Sequence, residues 1–176
     1  MIIGIDIDDT ITNTSDLIRE LAKKEYPDYK GKLRVPKDKY EEFQDKYVNY
    51  IHANATLKEG VVDTLNYLKE NGCTLLFITY RGFNRGNIEI TKEYFKKHNI
   101  PYDGIISVEK DKGIVAKEYN VDLFIEDKSE VIEQMIKYGI DYIKMYKEND
   151  NNNYRVVNNW KEIKEILKER INNYGR

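Results

Sequence analysis

Three carboxylates fall within four positions near the start of the chain, in the run Asp6-Ile7-Asp8-Asp9-Thr10. They follow Met1-Ile2-Ile3-Gly4-Ile5, an apolar, β-branched stretch that predicts a buried strand. Carboxylates this close repel one another and are costly beside an apolar core, so folding stability alone does not account for them. A bound divalent cation would, and hard oxygen donors suit Mg²⁺. The run therefore predicts a metal-assisted site at the C-terminal end of the first strand. Three further fragments share that kind of placement. Thr79 closes the apolar run from Cys73, Lys112-Gly113 opens a helical stretch, and Glu126-Asp127 closes the run from Val121. Each alone has a plain structural reading: a strand terminator, a solvated charge, an acidic pair favourable at a helix start. Together they bring carboxylates, a hydroxyl and an ammonium to compatible strand edges.

The elements that must position them read as follows. Asn13, Thr14 or Ser15 can cap a first helix whose apolar face is Leu17, Ile18, Leu21 and Ala22. Pro27 and Lys30-Gly31-Lys32 end it, and Pro36 suits the first turn of a second helix carrying Tyr40, Phe43, Tyr47, Tyr50 and Ile51. Both helices precede any second strand, although a parallel crossover needs only one. Residues 14–57 are therefore expected to form a small helical cap, inserted into a core made of 1–13 and 58–176. From Gly60 onward helices alternate with strands: a helix from Val61 to Asn71-Gly72, strand Cys73–Thr79, the loop 80–86, a helix from Asn87 to His98 with Tyr94 and Phe95 inward, strand Gly104–Val108, a helix from Lys112 to Tyr119, strand Val121–Asp127, a helix with Val131, Ile132, Met135 and Ile136 inward, strand Ile140–Met145, a polar loop at Asp150–Asn153 and a last helix on Trp160, Ile163, Leu167 and Ile171. This alternation predicts an α/β fold, a Rossmann-like parallel sheet with helices on both faces, whose ligand sits at the carboxyl ends of the strands.

Composition narrows the partners. The 176 residues suffice for one core with a small appendage. With 29 basic and 31 acidic residues the net charge is -2, which gives no footprint for a nucleic-acid backbone. No apolar run approaches a membrane span, and the N-terminus carries no secretion signal. The single cysteine, Cys73, permits no internal disulfide and reads as an inert residue at a strand start. These features point to a cytoplasmic protein acting on a small molecule. The oligomeric state is not readable from them.

The set Asp6-Ile7-Asp8-Asp9-Thr10, the apolar strand ending in Thr79, Lys112-Gly113 and Asp122-Leu123-Phe124-Ile125-Glu126-Asp127 resembles the four motifs of the haloacid-dehalogenase-like phosphohydrolases. The likeness spans nearly the whole chain. Asp9 stands where many members carry glycine, and D-x-D-D-T resembles instead the small 5'-nucleotidases that act on deoxyribonucleotides. The helical insertion resembles that superfamily's cap.

The resemblance implies a Mg²⁺-dependent phosphomonoesterase. Asp6 would be the nucleophile and Asp8 the general acid/base. Asp6, the Asp8 carbonyl and Asp127 would hold the metal. Thr79 and Lys112 would bind the phosphoryl group, with Lys112 preferred over Lys110 for its following glycine. Such an assignment suits the chemistry, since a phosphate dianion repels an incoming anion until its charge is neutralised. Glu126 is read either as orienting a metal-bound water or as starting the helix. In the loop after Thr79, Tyr80 and Arg81 are expected substrate contacts, and Arg85 could reach a phosphate or sugar. Phe43, Tyr47 and Tyr50 read as packing residues of the cap, with stacking on a nucleobase as the alternative. His52 and His98 are assigned no part. The expected substrate is a nucleoside monophosphate. The alternatives are a sugar phosphate or another small phosphometabolite, a phospho-accepting signalling domain, and a non-catalytic binding protein.

Overall fold

The computed structural model describes residues 1–31, 34–83, 86–146, 154 and 156–174. Lys32, Arg85 and the Asp150–Asn153 loop, all singled out above, lie outside the described residues. Six parallel strands, β1 (Ile2–Ile5), β2 (Thr74–Thr79), β3 (Gly104–Ser107), β4 (Leu123–Glu126), β5 (Asp141–Met145) and β6 (Val156–Val157), lie in the order β3-β2-β1-β4-β5-β6. The chain winds outward from β1 in both directions, so the topological switch point falls at the end of β1. Ile5 pairs with Phe77 on one side and Ile125 on the other, which brings the ends of β1, β2 and β4 to one rim.

Alternation along the strands supplies two cores. Ile3, Ile5, Leu75, Phe77, Leu123 and Ile125 face α3 (Val61–Glu70), α4 (Ile88–Lys97) and α7 (Trp160–Tyr174). Leu76, Ile78 and Phe124 face α5 (Lys112–Glu118) and α6 (Ser129–Tyr138). A third, smaller cluster holds α1 (Thr14–Glu25) to α2 (Tyr40–Asn54) through Leu21, Ala22, Val35, Phe43 and Ile51. The chain leaves and re-enters the core side by side: Thr12 bridges Leu57, and the Asn13 amide donates to the Thr56 carbonyl at 2.8 Å. The end of α2 is fastened to α4 by the Tyr94 hydroxyl on the Ala55 carbonyl, 2.5 Å.

Several expectations change in detail. β6 is an addition, too short at two residues to show a period. β2 starts at Thr74, β3 stops at Ser107 and β4 starts at Leu123. Pro36 caps a 3-10 turn at Lys37–Lys39, its carbonyl accepting from the Lys39 amide at 3.0 Å, rather than starting α2 itself. Ile136 and Tyr50 are exposed rather than inward, Tyr50 at 52%, while Phe43 is fully buried. A helix face only wide enough for one partner leaves the flanking positions of a long apolar stripe in solvent.

Candidate active site

Asp6 follows the last residue of β1. Its amide N–H still donates to the Ile125 carbonyl at 3.0 Å, so the backbone is held against β4 one residue beyond the strand. That bond brings the Asp6 carboxylate to the end of β4, beside Glu126 and Asp127. One oxygen from each of these three buried carboxylates lies within 4.8 Å of the other two.

Lys112 closes the cluster. It is the first residue of α5, and Asp111 caps that helix by accepting from the amides of Gly113 (2.9 Å) and Ile114 (3.2 Å). Gly113 permits α5 to lie flat on α6: a Cβ there would come within 2.5 Å of the Tyr138 ring. So placed, the fully buried Lys112 ammonium donates to Asp6 and, at 2.9 Å, to Glu126. Lys110 instead stands 84% exposed on Glu109. The second Glu126 oxygen accepts from the amides of Asp127 (3.0 Å) and Lys128 (3.1 Å). Glu126 thus fixes both Lys112 and the turn that carries Asp127.

The turn after β1 is tied down from below. The Thr10 hydroxyl lies 3.4 Å from Asp6 and 3.5 Å from Asp127, and its carbonyl accepts from the Trp160 indole at 2.9 Å. Asp9 sits at φ 61°, in the left-handed region where glycine is at ease and aspartate tolerable. Its carboxylate accepts from the Ser15 amide at 2.7 Å and from the Ser15 hydroxyl, joining the turn to the start of α1.

Asp8 is clamped. Arg81 Nε and Nη2 donate to its two oxygens at 3.0 and 2.6 Å, and Thr14 adds a bond at 2.7 Å. Arg81 is itself buried, and Nη1 reaches the His52 carbonyl on α2 at 3.5 Å. Sequence reasoning, which offered Arg81 to the substrate, could not foresee that the guanidinium is already engaged. It also dismissed His52, which is buried beside this pair because α2 folds back over the rim. Thr79 is buried at the end of β2, its hydroxyl accepting from the Arg81 amide at 3.2 Å. The Tyr80 ring lies under two ammonium groups, Lys112 at 4.7 Å and Lys128 at 5.6 Å, and its hydroxyl donates to the Lys110 carbonyl at 2.9 Å. Lys144 is a further participant that the sequence concealed. It is fully buried in β5 and donates to the Asp127 carbonyl at 2.7 Å. The one available signal was a lysine inside an apolar strand.

Charge is crowded here. Burial raises the Asp6 pKa, Lys112 opposes, and Asp127 and Asp8 raise it further. Burial and Asp6 push Glu126 up to about 8 against the pull of Lys112. Burial disfavours charge on Lys112 as well, but Asp6 and Glu126 hold its pKa well above the ordinary lysine value. At Asp8 burial is outweighed by the Arg81 charge and hydrogen bonds, which hold the carboxyl far below the usual range. An all-oxygen cluster in which Asp6 and Glu126 resist ionisation is the donor set that a hard dication fits.

Two hollows flank the site, both within the size range of small-molecule pockets. One of about 340 Å³ lies beneath α2, with Asp8, Tyr80, Arg81, Lys128, Gln44 and His52 in its walls. The other, about 710 Å³, opens on the far side of α1 and reaches Asp127. Asp9, Ser15 and Arg34 border both.

The fold is similar to that of haloacid-dehalogenase-like hydrolases. Solved structures of similar shape include a haloacid dehalogenase-like family hydrolase from Streptococcus pneumoniae (TM-score 0.70, 15% identity, 94% of this chain and 97% of that one). Another is a HAD-superfamily hydrolase from Ehrlichia chaffeensis (TM-score 0.62, 17% identity, 95% of each chain). A nucleotidase of Clostridium acetobutylicum is 29% identical over 180 residues, which cover 94% of this chain and 92% of that protein. Residues 1–172 match the model of the family described as 5' nucleotidase, deoxy (Pyrimidine), cytosolic type C. The chain belongs to that family, and is a phosphoric monoester hydrolase. No helix among the described residues is long and apolar enough to cross a membrane.

Proposed function

We propose that the chain is a Mg²⁺-dependent nucleotidase that hydrolyses (deoxy)nucleoside monophosphates through an aspartyl-phosphate on Asp6. The reading rests on the convergence of Asp6, Lys112 and Asp127 at the switch point of the sheet, together with the family match. Asp6 and Asp127, with the Asp8 main-chain carbonyl, would hold the cation. Its chemistry is that of a Lewis acid and template, neutralising phosphate charge.

The side chains divide the work. An Asp6 oxygen attacks phosphorus, the bond from phosphorus to the nucleoside oxygen breaks, and Asp8 delivers a proton to that oxygen. Water then attacks phosphorus, Asp8 takes the proton back, and Asp6 leaves as a free carboxylate with release of inorganic phosphate. Lys112 holds the attacking oxygen of Asp6 in line and balances the charge that builds there. Ionised and clamped by Arg81, Asp8 is found in the state that accepts a proton. Donating one requires the clamp to loosen. Glu126 positions Lys112, and Thr79 with Lys128 supplies donors for the phosphoryl oxygens. Residues 14–57 act as the cap that selects the leaving group.

Phosphate release across a panel of nucleoside monophosphates and sugar phosphates, with and without Mg²⁺, tests this. Turnover of a nucleoside monophosphate that needs Mg²⁺ and falls at least a thousandfold in Asp6→Asn is the expected result. Preference for sugar phosphates would overturn the substrate assignment, and full activity of Asp6→Asn the nucleophile.

A further inference from the structure

The larger hollow has an uneven charge inventory. α1 presents Arg19 and Lys23 to it at helical spacing, i and i+4, Tyr26 follows at the helix C-cap, and Lys30, Arg34 and Lys58 stand around the same opening. Arg19 is spent on Asp16 at 2.7 Å. Among the described residues Lys23, Lys30, Arg34 and Lys58 have no acidic partner. Elsewhere among the described residues lysines of both kinds occur: Lys24, Lys46, Lys69, Lys92 and Lys164 are paired with acids, whereas Lys37, Lys96, Lys97, Lys117 and Lys161 are not, so it is the gathering of cations at one opening that distinguishes the cleft. A protein of net charge -2 thus lines one cleft with the five cations Arg19, Lys23, Lys30, Arg34 and Lys58 against the three carboxylates Asp9, Asp16 and Asp127.

The acids in that cleft do not answer them. Asp9 is held by Ser15, and Asp127 belongs to the carboxylate cluster. Nor does the reacting phosphoryl group need them, since Lys112 and Lys128 already stand beside Asp6. Like charges converging on a concave surface repel, and a focused positive field raises the local concentration of an anion. Because this hollow itself reaches Asp127 of the carboxylate cluster, a single ligand can extend from the reacting centre into the basic cleft.

Building on the nucleotidase reading, we propose that the cleft receives a second phosphate of the substrate, so that nucleoside bisphosphates are recognised better than monophosphates. The group bound there is not cleaved. Only the phosphate at Asp6 is, with water as the co-reactant.

The test compares thymidine 5'-monophosphate with thymidine 3',5'-bisphosphate at low salt. For the wild type, KM for the bisphosphate is expected at least tenfold lower, with kcat changed less. The ratio should collapse at high salt and in the double variant Lys23→Gln/Lys58→Gln, but persist in Lys96→Gln/Lys97→Gln on the distant α4. Calorimetric affinities of Asp6→Asn for both nucleotides read the same ratio without turnover. Should neither ester be hydrolysed, the nucleotidase reading fails while the affinity ratio still judges the cleft. Equal KM and equal affinity for the two compounds, or a preference that survives Lys23→Gln/Lys58→Gln, would overturn the inference.

Discussion

Asp9 shows how a site residue and a structural residue can be the same side chain. Its left-handed backbone is strained for a residue with a Cβ by about 1 kcal/mol or more. Its carboxylate returns a comparable amount by capping the start of α1 through Ser15. Glycine removes the strain and the cap together, whereas alanine removes only the cap. Asp9→Ala is therefore expected to be less stable than Asp9→Gly by about 1 kcal/mol in urea titrations, and the reverse order would show that the backbone conformation is misjudged. At this scale the sequence was most informative where chemistry and local chain coincide, as in Asp6-Ile7-Asp8-Asp9-Thr10. It was silent on the pairing of Arg81 with Asp8 and on Lys144, because a guanidinium clamp and a buried strand lysine are made by partners 73 and 17 residues away.

The elements were legible through their periods, and their mutual arrangement was not. Alternation of helix and strand announced a parallel sheet, yet nothing in it said that α2 would bend back far enough to put His52 beside Arg81. His52 is the element-scale reporter of that contact. Burial, then the Arg81 charge, lowers its pKa to about 4, with Asp8 opposing. The unfolded chain therefore binds a proton near pH 6.5 that the native protein refuses until about pH 4. Stability should fall as pH drops through that window, by up to about 3 kcal/mol from this group. Denaturant midpoints measured between those limits should fall less steeply for His52→Gln. An unchanged slope would mean that α2 does not hold the imidazole against Arg81.

For the molecule as a whole, the four fragments gave the fold because a doubly wound sheet allows their order to converge in few ways. The strand order, with β1 at the centre and β2 and β4 on either side, turns distance along the chain into adjacency at one rim. That rim buries three carboxylates, two of which resist ionisation, which is a poor design for stability and a suitable one for a cation and a phosphate. The central claim is that Asp6 forms the covalent bond to phosphorus. Rapid acid quenching of the enzyme with Mg²⁺ and thymidine 5'-monophosphate, followed by peptide mass spectrometry, tests it most directly. A single phosphoryl group on the peptide bearing Asp6, absent in Asp6→Asn, is the predicted result. Turnover with no phosphoryl-enzyme at any quench time, or a label on another residue, would contradict the account.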